Sequence, residues 1–271
     1  MTDMTTSPTN PAAIEAVFGD GEPRHLAPEQ PLTMRGEWRK FGSFLKRPVL
    51  PETTVTGAAA LRGMGRMIAL DLIIVSCLIA LLLTVVAMGF EMPDNINAQL
   101  EFNIGTIALI VIAAPVMEEL VFRSWLSGKP GYLAALFVLV VTGVIAAMLG
   151  VENTGQQATL AVAATMGIGL LLAIAALVVL RKRPPMRWFK AIFPAMFWLS
   201  AGGFALIHIL NYTEGAFWAL LPLVLPQFIL GAIAAYNRVH YGLWTAMITH
   251  VAHNGFAVAL ALVGMGLGLE S

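Results

Sequence analysis

Seven apolar runs, each long enough to cross a bilayer, follow one another from Met67 toward the C-terminus with only short polar breaks between them. A hydrocarbon layer ~30 Å thick is crossed by about 20 helical residues. Within it every backbone amide and carbonyl must be paired inside its own segment, so each run is expected to be a helix. The spans are predicted at roughly 67–90, 104–124, 132–150, 159–180, 189–210, 216–236 and 243–266. The fold class is therefore all-α, a polytopic transmembrane helix bundle of about seven spans. Composition agrees: 58% of the 271 residues are hydrophobic and 12% charged, against about 25% charged in soluble domains. A formal net charge of zero gives no general attraction for nucleic acid, and none is expected as a partner.

Residues 1–62 differ in kind, holding seven of the fifteen prolines and no sustained periodicity. They are expected to form a mostly disordered arm, with the bundle occupying 63–271. Within the arm, Trp38 to Arg47 mixes aromatic and basic residues in a way that suits an anionic membrane surface. The first apolar run lies far from Met1 and lacks a small-residue cleavage pattern, so no secretory signal is expected. The single cysteine, Cys77, can form no intrachain disulfide and is expected to be a small buried hydrophobe.

Charge in the connections orients the bundle. Arg62, Arg66, Arg123, Lys129, Arg181, Lys182, Arg183, Arg187, Lys190 and Arg238 all fall at one end of the spans. Glu91, Asp94, Glu101, Glu152 and Glu214 fall at the other, without a Lys or Arg among them. Basic residues are retained in the cytoplasm, so the expectation is an integral membrane protein with a cytoplasmic N-terminus, in the inner membrane of a bacterial source.

Two adjacent glutamates, Glu118 and Glu119, interrupt the second run. A carboxylate at hydrocarbon depth costs about 2.5 kcal/mol or more, and such residues mark functional sites. Glu119 and Arg123 stand at i and i+4, the favoured order for an ion pair. Glu118 is offset by about 100° around the helix, without a local partner. Such a carboxylate can act as a base when an imidazole or a water shares its proton. Elsewhere, Phe204 and His208 share one face of the fifth run, and His250 and Asn254 share one face of the seventh. Bundles build sites from facing helices in this manner. Asp71, near Arg66, and His253 are expected to be structural; His240 is expected to be solvated in a loop, His25 lies in the arm, and Asn211 falls at the edge of a span.

The ordered set Glu118-Glu119 with Arg123, Phe204 with His208, and His250 with Asn254 resembles the EExxxR, FxxxH and HxxxN pattern of the CAAX prenyl-protease and Abi (CPBP) family of intramembrane glutamic endopeptidases. The stretches Pro226–Arg238 and Gly242–His250 are also similar to that family's last core helices, and the likeness covers roughly 104–260. The resemblance implies an enzyme, a metal-independent protease acting on a membrane-associated peptide or protein. Glu118 would activate water with His208, His250 and Asn254 would steady the oxyanion, and Glu119, Arg123 and Phe204 would support them. In a bacterial setting it points to peptide maturation, self-immunity or regulatory proteolysis. The chain departs from the pattern by an extra helix pair at about 132–182. It departs also in depth, since Glu118 lies near the basic end of its span and His208 near the far end of its own. The two meet if the fifth span begins beyond Phe193 with Pro184–Lys190 in the headgroups, if the register of the spans is shifted, or if a conical cavity opens to the cytoplasm.

Two other readings fit the same residues. Glu118, His208 and His250 form a potential zinc set, although no HExxH occurs. A proton-coupled transporter or a non-catalytic membrane scaffold also places carboxylates and imidazoles within spans.

Overall fold

A computed structural model describes residues 33–152 and 155–266. Expectations for residues 1–32, His25 among them, lie outside the described residues. Helix α1 runs Met34–Lys46, α2 Gly57–Ala87, α3 Ile104–Phe122, α4 Pro130–Glu152, α5 Gln156–Leu180, α6 Arg187–Ile207, α7 Leu225–Tyr241 and α8 Leu243–Gly266. Seven segments are long and apolar enough to cross a membrane: α2 to α6, α8, and the stretch Phe217–Tyr241 that ends in α7. Their outer surfaces expose Leu81, Leu83, Phe137, Leu171 and Val179, which in water would be a large unburied apolar area. The protein is an integral membrane protein.

The expectation of disorder through residue 62 fails in its second half. Helix α1 starts at a capped Thr33, whose hydroxyl accepts the Gly36 amide. Its apolar face then packs on the bundle: Phe41 and Phe44 meet Tyr236 edge-on at 5.2 and 5.3 Å, and Phe44 meets Phe197 at 5.2 Å. Glu37 is buried with them, taking hydroxyl hydrogen bonds from Tyr236 and Tyr241. The aromatic residues that suggested an attachment to lipid therefore bind protein. Helix α2 likewise begins at Gly57, earlier than its apolar run indicated, because Ala60, Gly63 and Met64 pack inward.

Helix α7 lies at the centre, with every residue from Leu230 to Val239 buried. Small residues permit this: a Cβ on Gly231 would stand 3.2 Å from both the Ala201 carbonyl and Arg123 Nη2. His240, expected in a loop, instead closes the last turn of α7, its ring stacked 4.1 Å from Tyr236. Helices α4 and α5 form a close hairpin, in which Gly169 receives Thr142 and Gly131 receives Leu180. Cys77 faces outward from α2, contrary to the expected burial, because it lies off the inward-facing row that holds Asp71 and Val75.

Candidate active site

The second span carries a flaw that the sequence announces with one residue. Leu109–Ala113 is wound as a π-helical turn, in which amides reach back five residues, as Ala114 does to Leu109. The next amide in that pattern belongs to Pro115, which has none, so the Ile110 carbonyl is left without an intrahelical donor. Asn254 of α8 supplies one, its Nδ2 donating to Ile110 at 2.9 Å. Asn254 is thus a clasp between α8 and α3. The amide nitrogen carries two hydrogens, and this bond uses one of them.

The other end of α3 is capped from two neighbours. Ser200 of α6 donates to the Phe122 carbonyl at 2.7 Å. Arg238 of α7 donates through Nε to Arg123 and through Nη2 to Ser124, at 3.0 and 2.9 Å. These contacts resolve the depth mismatch. With Phe122 level with Ser200, the first part of α6 projects about 20 Å below the end of α3. Phe204 and His208 then rise beside the glutamates, on a helix that starts at Arg187.

Between these two anchors the ionisable groups converge. Arg123, fully buried, lies 4.0 Å over the Phe204 ring, with Nη1 3.1 Å from Glu119 Oε1. The same Oε1 is 2.9 Å from His250 Nδ1. The Glu119 oxygen that meets Arg123 accepts from its neighbours, so Nδ1 carries the hydrogen and Nε2 is the working nitrogen. Nε2 points to Glu118, 3.6 Å from Oε2 and just beyond hydrogen-bonding distance. The two glutamates differ sharply in access: the Glu118 side chain is 34% exposed and that of Glu119 fully buried.

His208 joins from the other side of Phe204, at 4.6 Å between ring centroids, while His250 meets the same ring at 5.4 Å. Its Nδ1 is 2.7 Å from the Phe204 carbonyl, which only accepts, so here too Nε2 is left for other work. Glu118 and His250 both lie near enough to act on its charge. The predicted residues Glu118, His208 and His250 are thereby brought together, and Glu119, Arg123 and Phe204 stand behind them as supports. Glu118, however, is nearest His250, where His208 was the expected partner. The reason is rotational: Glu119 pins the His250 ring so that its far nitrogen faces the neighbouring carboxylate.

His253 and Asp71 form a separate buried pair at 2.7 Å, tying α8 to α2. Asp71 thus answers His253, as one of the inward-facing residues of α2, in the row of Met64, Met67 and Val75. The sequence reading missed Ser200, Arg238 and the Ile110 carbonyl. Arg238 and Pro115 were the legible signals, a charge in the last turn of one helix and a missing amide within another.

Among the described residues no group of three or more His, Cys, Asp or Glu is placed to hold a metal. What fold and site define is a polytopic membrane protein with a partly open carboxylate facing the His250 imidazole, and a second imidazole, His208, against the same Phe204 ring. No family model, curated protein or solved structure matches the chain.

Proposed function

We propose that the protein is an intramembrane endopeptidase that hydrolyses a peptide bond in a membrane-associated peptide or protein, as the resemblance to CAAX prenyl-protease and Abi (CPBP) enzymes implies. The observation that carries this reading is the pair formed by the reachable Glu118 carboxylate and the buried His250 Nε2, 3.6 Å apart. A water held by Glu118 gives it a proton as the water oxygen bonds to the scissile carbonyl carbon, and the carbonyl electrons move onto oxygen. His250 Nε2 relays that proton to the leaving nitrogen as the C–N bond breaks and the carbonyl re-forms. The second Nδ2 hydrogen of Asn254 is the donor left to steady the oxyanion, and His208 Nε2 accepts from the attacking water beside Glu118. No step is routed through a metal.

The basic end of the bundle is assigned to the cytoplasm, in a bacterial inner membrane, on the loop charges alone. The experiment is cleavage of a peptide mixture by protein reconstituted in liposomes, with new termini identified by mass spectrometry. Glu118→Gln and His250→Ala abolish cleavage while membrane insertion persists. His208→Ala lowers the rate by about 10²-fold, as loss of a group that accepts a proton or hydrogen bond from the attacking water does. Undiminished cleavage by Glu118→Gln refutes the mechanism, and a stoichiometric metal lost from all three variants replaces it with a metallohydrolase.

A further inference from the structure

Away from the glutamates, a cavity of about 470 Å³ opens at the basic end, between the start of α4, the end of α5 and the end of α7. Four cations line it, Lys129, Lys182, Arg183 and Arg238, with Tyr132 between them and one acid, Glu52. Glu52 is engaged, 3.0 Å from Lys190. The side chains of Lys129, Lys182 and Arg183 have no hydrogen bond or ion pair among the described residues, and Arg238 Nη1 has none either. A cavity with four cations and a single acid already engaged by Lys190, among the described residues, is built for an anion.

The surrounding elements say where that anion sits. Lys129 immediately precedes the first residue of α4, Lys182 and Arg183 follow the last of α5, and Arg238 lies in the last turn of α7. Three spans therefore leave the hydrocarbon at this level, the depth at which lipid phosphates lie. We propose that the cavity binds the phosphate of an anionic phospholipid headgroup. Basic pockets between spans at the basic face recognise such headgroups. The lipid would also seat the α4–α5 hairpin, since Lys129, Lys182 and Arg183 belong to its base and Arg238 to the central helix. This proposal does not depend on proteolysis.

The test uses the full chain in neutral detergent, with lipid retention read by native mass spectrometry. Phosphatidylglycerol is retained over phosphatidylcholine, and Lys182→Gln with Arg183→Gln weakens that retention by at least about tenfold. Arg181→Gln with Arg187→Gln removes the same charge outside the lining and leaves retention within about twofold. Equal losses in the two pairs, or no preference over phosphatidylcholine, overturn the proposal. Should the first pair fail to fold, Lys129→Gln carries the same comparison. Inorganic phosphate that displaces phosphatidylglycerol at equal concentration keeps the site but assigns it to a soluble phosphate; failure to displace supports the lipid.

Discussion

At the scale of single residues, the two adjacent glutamates have opposite duties, and burial decides which has which. Glu119 is sealed between Arg123 and His250, so removing either charge of the Glu119–Arg123 pair strands the other in an apolar interior. Glu119→Ala and Arg123→Ala should each lower stability by about 3–5 kcal/mol, measured by unfolding in micelles. Glu118 has no such obligation, and Glu118→Gln should unfold within about 0.5 kcal/mol of the parent. A large loss there would show that Glu118 is structural. The helical offset of Glu118 from the Glu119–Arg123 pair was legible in the sequence, because i, i+4 spacing alone fixes which carboxylate meets the arginine. That His250 and not His208 faces Glu118 was not, since it depends on the ring rotation imposed by a third residue from another helix.

At the scale of elements, the interrupted second span and its neighbours hold the glutamates in register. If the Ile110 carbonyl is orphaned by Pro115 and met by Asn254, the two residues must be energetically coupled. Asn254→Leu alone should cost about 1–3 kcal/mol, the usual penalty for an unmet buried carbonyl. In a Pro115→Ala background, which restores an amide, the same change should cost clearly less. Additive losses in this double-mutant cycle would refute the clasp. Gly231→Ala should destabilise by about 1–3 kcal/mol by driving α7 off Ala201 and Arg123. The spans themselves were readable almost to their ends, because a run of apolar residues at membrane length admits one structure. Helix α1 was not: its mean composition is polar, and only the spacing of Phe41, Phe44 and the buried Glu37 distinguishes a packed amphipathic helix from a solvated arm.

At the scale of the whole molecule, the basic and acidic ends are built differently. Toward the basic end the bundle is packed by α1, the Ser124–Ser127 turn and the fully buried phenylalanine row Phe189, Phe193 and Phe197. The acidic end is joined lightly, by the Asp94 carbonyl to the Thr213 amide at 3.0 Å and by a single bridge between Asn95 and Tyr212. Topology can be read directly: in a Cys77→Ser background, Lys182→Cys should label with an impermeant maleimide only from the cytoplasmic side, and Asp94→Cys only from the other. The reverse pattern would invert the molecule. Asn254 and His250 lie one turn apart on the same helix, α8, and both grip α3, one at its π-helical turn and one at its glutamates. Any tilt of α8 that loosens the first hold must loosen the second. Lesions in this helix should therefore switch the population between competent and inert molecules instead of slowing every molecule a little.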